Sequence, residues 1–482
     1  MLDIRPVGYV IGLLLLALGT TMLGPLLADL VAGNGHWWVF AESAAITLAT
    51  GGMMALASSN GVKAGLTLRQ GFLLSSLVWL ILPTFGAIPF MLGETAARPV
   101  DALFEAMSGI TTTGSTVLTG LEHLPEGLLM WRGILQWLGG IGIIVMAMVF
   151  LPELKVGGMQ VFRSEAFETM GKILPRAAEI ASRISVIYVG LTVACALIYM
   201  GLEMTPFDAV VHAMTTVSTG GMANSDSSFF EYGAGVHYVA VVFMFLAALP
   251  FVRYVQLVGG AARPLFSDRQ IWVFGVIVLV TAGMLAAVQA RLDGGLTEVA
   301  WREALFNTVS IISGTGYSSA DYMQWGPFAI TLIFFVGLIG GCAGSTSCSV
   351  KVFRYQILFS AIQSQIRQLH SPNGIFVVRF EGRPVAPDAL NSVMAFFVVF
   401  VLSLGIVAVA LSLTGLDFIT SISGAATALA NIGPGLGTDI GPTGNFAGLN
   451  DTAKWILTVA MFVGRLEMMV VLVLLTRRFW QD

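Results

Sequence analysis

Apolar runs of about 20 residues, each long enough to cross ~30 Å of hydrocarbon, dominate the chain. They lie near residues 8–32, 37–58, 71–93, 128–151, 183–202, 236–260, 271–290, 324–350, 389–414 and 453–478. With 482 residues, 56% hydrophobic and only 11% charged, and a mean hydropathy of +0.84, there is too little polar surface to coat a soluble globule. The composition specifies a polytopic membrane protein embedded in a lipid bilayer and offers no basic surface for nucleic acid. The first run follows Asp3 and Arg5 without a small-residue cleavage site, so it reads as a retained span. Cys195, Cys342 and Cys348 form no CxxC and imply neither a disulfide framework nor a metal site.

The first two runs stand alone, and the other eight bracket four related segments in pairs. The first segment, Phe104 to Thr116, carries Thr112-Thr113-Gly114, and the second, Val210 to Gly221, carries Ser218-Thr219-Gly220. The third, Phe306 to Tyr317, carries Gly314-Thr315-Gly316, and a weaker fourth, Ser423 to Pro434, carries Asn431-Ile432-Gly433. Aligned without gaps, Gly114, Gly220, Gly316 and Gly433 share one register. Each segment is too short and polar to span, which predicts a re-entrant half-helix lining a cavity. A unit used four times in one chain points to pseudo-fourfold assembly. The expected fold is therefore an all-α polytopic membrane protein: two N-terminal spans plus four span–pore-loop–span repeats around one pseudo-fourfold pore. The expected boundaries are 1–60 for the two extra spans and 68–155, 180–262, 268–355 and 385–482 for the repeats. Residues 156–179 and 356–384 are cytoplasmic connections, and 152–183, with Met159, Phe162, Phe167 and Met170, reads as an amphipathic helix.

Charge placement orients this layout. With the N-terminus inside, most of the 24 Lys and Arg fall on one face, while Glu105, Glu122, Asp226 and other acids fall on the opposite one. The positive-inside rule puts every Thr-Gly segment outside, where acids concentrate cations, although each acid alone also reads as a solvated loop residue. A dehydrated monovalent cation needs oxygen ligands from all sides, which a ring of backbone carbonyls supplies. Glycine allows the required φ values, and the carbonyl end of each half-helix favours a cation. One Thr-Gly alone is an ordinary turn; four in phase between spans specify a filter. Two rival classes compete with a cation pore. An intramembrane serine protease would use Ser108 with His212, whereas His212 otherwise reads as a packed or hydrogen-bonding residue. A secondary transporter of an organic solute would show inverted repeats, but the four units run in the same direction.

Thr111 to Ser115, Trp131-Arg132-Gly133, Gln136 to Gly142, Ser218 to Gly221, Asp321-Tyr322, Gly341 to Thr346, Asn431 to Gly435 and Gly464 to Glu467 together resemble the Trk/Ktr/HKT potassium transporter superfamily, most of all its bacterial TrkH/TrkG-type uptake subunits. The resemblance implies a pore-forming subunit, not an enzyme, that carries K⁺ inward across the bacterial inner membrane and needs no organic cofactor. It leaves Na⁺ and H⁺ open as further ions. It also implies a homodimer and a cytoplasmic nucleotide-binding regulatory subunit of the TrkA type. The filter would comprise Thr112, Thr113, Gly114, Ser218, Thr219, Gly220, Gly314, Thr315, Gly316, Asn431, Ile432 and Gly433, with potassium held at these residues.

A gate is expected below it. Gly340, Gly341, Gly344, Ser345 and Thr346 would break a helix at mid-membrane, though small residues also serve close helix packing. The resemblance favours an intramembrane loop; Ser347-Cys348-Ser349 departs from the family's glycine run. Arg465 falls near the middle of the last apolar run, where a charge costs at least ~2.5 kcal/mol. It reads as a pore-facing cation, or else as a buried group paired with Glu467 or with backbone carbonyls.

Overall fold

The computed structural model describes residues 3–61, 66–147, 158–162, 177–292 and 294–481. Its framework is helical, with one two-residue hairpin in which Arg379 pairs with Pro384 and Phe380 with Arg383. Seven described helices are long and apolar enough to cross a membrane: Arg5–Ala32, Trp37–Ser58, Leu68–Leu92, Glu126–Val145, Ala181–Gly201, Arg269–Leu292 and Pro387–Ser412. Two further helix pairs are apolar enough together but sharply bent, Ala234–Ala247 with Phe251–Val258 at 90° and Asp451–Arg465 with Met468–Leu474 at 104°.

The run 324–350 is interrupted where its Gly and Ser residues gather, and the last run is interrupted too. The run 324–350 does not form a spanning helix, because Pro327–Gly337 stops after 11 residues and irregular backbone follows until Val352–His370 begins. Glycine and serine are poor helix formers, and Gly340, Gly341 and Gly344 fall in succession there. The last span likewise breaks at Arg465, which ends its helix rather than sitting inside a continuous one. Most of the expected amphipathic segment 152–183 lies outside the described residues; within it, Met159–Phe162 is a single 3-10 turn and a helix runs from Ala177.

Between the spans lie four short helices, Pro99–Ile110, Pro206–Val217, Glu298–Ser313 and Phe418–Ala430. Proline opens the first two, where the missing N–H costs nothing. Thr205, Thr297 and Asp417 cap the other donors of the second, third and fourth. Each short helix packs between the two apolar helices that flank it in sequence, and each also touches a helix of its neighbour. The first meets Asp451–Arg465, the second Glu126–Val145, the third Ala234–Ala247 and the fourth Pro327–Gly337. The contacts therefore follow the chain order around a closed circuit.

The two N-terminal spans attach to one side. They approach through small residues: a Cβ on Gly12 would lie 2.6 Å from the Ala55 amide nitrogen, and one on Gly51 would lie 2.9 Å from the Gly12 carbonyl. Asp29 fastens them to the rest, its buried carboxylate accepting from the Gly127 amide at 2.7 Å and lying 3.0 Å from His36 Nδ1. A bulky residue cannot enter the Gly12 contact without parting the helices. Gly12→Leu is expected to destabilise the purified protein by about 1–3 kcal/mol, read as a lower melting midpoint by size-exclusion thermostability; an unchanged midpoint would contradict this packing.

Candidate functional site

Each short helix ends in the same turn. Thr112 (φ +52°), Thr219 (+51°), Gly314 (+80°) and Asn431 (+52°) are left-handed, and so, two residues later, are Gly114 (+87°), Gly221 (+75°), Gly316 (+83°) and Gly433 (+104°). The residue between donates its amide back to the helix: Thr113 to Ser108 at 2.8 Å, Gly220 to Thr215 at 2.9 Å, Thr315 to Ser310 at 2.9 Å and Ile432 to Thr427 at 3.1 Å. The second segment is thus one residue out of the gapless register. Gly221, not Gly220, stands with Gly114, Gly316 and Gly433; Gly220 stands with Thr113, Thr315 and Ile432. Two successive glycines hide this shift from any alignment on the dipeptide. Thr112, Thr219 and Asn431 hold a conformation that β-carbons resist, a strain the surroundings must sustain.

The four turns close on one another. A Cβ on Gly114 would lie 2.2 Å from the Gly220 carbonyl oxygen, one on Gly221 would lie 1.8 Å from that of Thr315, and one on Gly316 would lie 1.9 Å from that of Ile432. Gly433 returns to the start, its Cβ position 2.9 Å from the Thr113 carbonyl oxygen. Only glycine permits these approaches. Ser115 adds a further tie, donating to the Gly433 carbonyl at 2.8 Å. All four glycines line one cavity of about 190 Å³, whose wall includes Asp226. Nearby Glu122 is held below the usual carboxylate range, chiefly by the Ser225 hydroxyl at 2.6 Å.

Buried polar side chains brace the turns from behind. Glu105 accepts from the Val117 amide at 3.0 Å, His212 Nε2 from Asn224 at 3.4 Å and Asn307 Oδ1 from Ser319 at 3.3 Å. These three occupy the same place in their helices and grip the same place in the outgoing chain. The fourth helix has Gly424 there, and its neighbour Ser423 accepts from Leu436 at 2.9 Å instead. Glu105 is fully buried and paired with Arg132 at 2.8 Å, so it is not a solvated acid of the outer face. Arg132 goes on to the Ala223 carbonyl at 2.7 Å, and Gln136 links the Gly220 carbonyl (2.6 Å) with the Met222 amide (3.0 Å). Arg132 and Gln136 enter the sequence reading only within a family motif, and Asn307 only as part of the third segment. The available signal is a polar residue at a constant interval before three of the four turns.

The protease constellation does not form. His212 Nδ1 lies 2.8 Å from the Asp208 carbonyl while Nε2 accepts from Asn224, leaving neither nitrogen for Ser108, whose buried Oγ has no partner.

On the other side of the turns, residues 338–351 fold back as a buried loop. The break after Ala247 frees carbonyls that the loop takes: Cys342 donates to Ala248 at 3.0 Å, and the Thr346 hydroxyl donates to Ala247 at 3.0 Å. The Gly344 carbonyl accepts from Phe251 at 3.0 Å, and Gln270 accepts from Ala343 at 3.1 Å. Two irregular stretches satisfy each other, as an apolar interior requires. A Cβ on Gly340 would lie 2.0 Å from the Cys348 carbonyl, and one on Gly341 would lie 2.8 Å from the Ser347 side chain. Ser345 donates to the Cys342 carbonyl at 2.7 Å. The departure at Ser347-Cys348-Ser349 ties the loop upward: Ser349 donates to the Ala430 carbonyl at 2.9 Å, and Cys348 Sγ lies 3.5 Å from the Thr112 hydroxyl.

Arg465 meets this loop. Its guanidinium donates to the Gly139 carbonyl at 3.0 Å and to Cys348 Sγ, and sits 5.3 Å from the Trp79 ring centroid. Glu467 pairs with Arg354 instead, so among the described residues no carboxylate neutralises Arg465. Arg465, Cys348, Asn431, Lys351 and Glu467 surround a residual cavity of only about 50 Å³.

The family model described as TrkH, cation transport protein, matches residues 36–258 and 271–482. The Trk system potassium uptake protein TrkI of Halomonas elongata is 43% identical over 99% of this chain and 97% of its own. TrkH of Escherichia coli K12 is 33% identical over 99% of both. The crystal structure of the potassium transporter TrkH from Vibrio parahaemolyticus superposes with a TM-score of 0.91 at 32% identity, covering 100% of both chains.

Removing one half of a buried ion pair strands the other charge. Glu105→Gln is therefore expected to destabilise the protein by about 3–5 kcal/mol, and Glu105→Gln with Arg132→Met to recover part of that; a silent single variant in thermal unfolding would refute the brace.

Proposed function

This chain belongs to the TrkH family of cation transport proteins, and from that membership we propose that it is a pore-forming potassium uptake subunit whose filter is the circuit of four turns. Four span–pore-loop–span repeats, preceded by two extra spans, surround one pseudo-fourfold pore. The observation that carries this reading is the closed series of glycine-to-carbonyl approaches, since a dehydrated cation on the common axis meets oxygens from four directions. Backbone and hydroxyl oxygens of Thr112 to Gly114, Thr219 to Gly221, Gly314 to Gly316 and Asn431 to Gly433 are the ligand set. They bear no fixed charge, so the ion is bound weakly enough to leave. Only one ring is well specified, and selectivity is correspondingly lower than in a filter with several stacked rings.

The loop 338–351 and Arg465 form the gate. Arg465 places an unneutralised charge below the filter, and the tie from Cys348 to both Arg465 and Thr112 links gate to filter. Opening requires the guanidinium and the loop to part, which breaks the Gly139 and Cys348 contacts together. The filter faces outward across the bacterial inner membrane, the acids around Asp226 gather cations, and the chain works as a homodimer with a cytoplasmic nucleotide-binding subunit of the TrkA type.

⁸⁶Rb⁺ uptake into proteoliposomes, competed by K⁺, Na⁺ or Li⁺, tests the filter. In wild type K⁺ competes strongly and Li⁺ weakly, whereas Gly316→Ser and Gly221→Ser each lose that discrimination because a Cβ there collides with a carbonyl. Uptake indifferent to both substitutions would sink the assignment. For the gate, Arg465→Ala is expected to raise basal uptake by at least about tenfold, the factor set by removing ~1.4 kcal/mol of barrier; a basal rate equal to wild type would remove Arg465 from it.

A further inference from the structure

A further space among the described residues belongs neither to the vestibule nor to the gate cavity. It is a cavity of about 400 Å³ beside them, walled by Leu14 of the first span, Val78 and Leu82 of the span Leu68–Leu92, and Leu138 and Val145 of Glu126–Val145. That volume falls in the range of ligand pockets, about 300–1,000 Å³. Its wall is apolar, and the two hydroxyls it contains are already used: Ser75 donates to the Gly71 carbonyl at 2.7 Å and Ser185 to the Ala181 carbonyl at 2.7 Å. A hydrated ion or polar solute would find little to replace its water. Leu14, Val78, Leu82 and Leu138 lie in the interior of three membrane-spanning helices, which places this part of the cavity at the depth of the hydrocarbon. Half-buried Leu14, Val78, Leu82 and Leu138 leave its mouth open to that phase.

At its inner end the cavity reaches Trp79, Ile110 and Gly139. Trp79 carries the Arg465 guanidinium over its ring, Gly139 supplies the carbonyl that Arg465 holds, and Ile110 is the last helical residue before the first turn. We propose that this cavity is a binding site for one alkyl chain of a bilayer lipid, inserted from the side between the N-terminal span and the helices that flank the first turn, and seated against Trp79 and Gly139. Filling the space restores the dispersion contacts that an empty apolar cavity forfeits. The chain then backs the two groups that position Arg465, so the acyl composition of the membrane acts on the gate residue without entering the ion path. This site follows from membrane embedding and stands whether or not the four turns select potassium.

Gly142 lines the cavity, and a Cβ added there would make only an ordinary 3.9 Å contact with the Trp79 ring. Gly142→Leu therefore grows into the ligand's space, and Ala17→Phe does so from the N-terminal span. The test reconstitutes the full chain in phospholipid vesicles carrying a diazirine on one acyl chain, irradiates, and maps the labelled residues by mass spectrometry. Wild type is expected to be labelled at Val78, Leu82 or Leu138. Both variants should lose about tenfold or more of that labelling, the factor of a modest steric penalty. Labelling on the bilayer-facing helix Pro387–Ser412 should stay constant. No label in the cavity wall while Pro387–Ser412 is labelled, or wall labelling unchanged in both variants, overturns the site. Loss of label on Pro387–Ser412 as well would overturn the embedding on which the site rests.

Discussion

A backbone carbonyl pressed against the α-carbon of a glycine, made four times in a circuit, is the contact on which the other features depend. Gly114, Gly221, Gly316 and Gly433 meet the carbonyls of Gly220, Thr315, Ile432 and Thr113 in turn, so no segment can shift without moving the next. The braces behind them serve that closure. They also differ in chemistry: a carboxylate paired with arginine, a neutral imidazole, an amide and a hydroxyl hold four equivalent places. A protein with four identical chains would have to repeat one solution, whereas a single chain can fit each quadrant to its own neighbours.

The same interior explains the breaks. Apolar surroundings cannot hydrate a freed amide or carbonyl, so each irregular stretch must find its complement inside the protein. The kink after Ala247 and the loop 338–351 are complements, and the break after Arg465 frees that side chain to reach Gly139 and Cys348. An arginine this deep without a carboxylate is tolerated because a carbonyl, a thiol and an aromatic face surround it. Arg465 thereby sits beneath the turns with no carboxylate against it among the described residues.

Much of this was legible from residues alone. Apolar run length identified the spans, and the recurring Thr-Gly located the four turns, because both are local signals repeated along the chain. Glu105 was misplaced for an equally physical reason: its position outside an apolar run matches that of a solvated acid, and only the fold reveals Arg132 behind it. Gly220 and Gly221 cannot be told apart in the sequence because the distinction lies in φ, which no dipeptide displays. The run 324–350 has the apolar length of a span, and its Gly and Ser residues mark where the helix breaks, but only the fold shows which carbonyls the freed loop finds.

The sequence by itself determined that the chain enters a membrane, that four short segments share one pattern, and that a glycine stands at each turn. These follow from apolar length, periodicity and the absence of a Cβ, all properties of residues in order. Tertiary structure alone decided the register of the second turn, the partner of Arg465, the bracing of Glu105 and the cavity beside Trp79. Each of those is a contact between residues far apart in the chain, where the competing choices differ in how well they satisfy buried polar groups and not in local propensity.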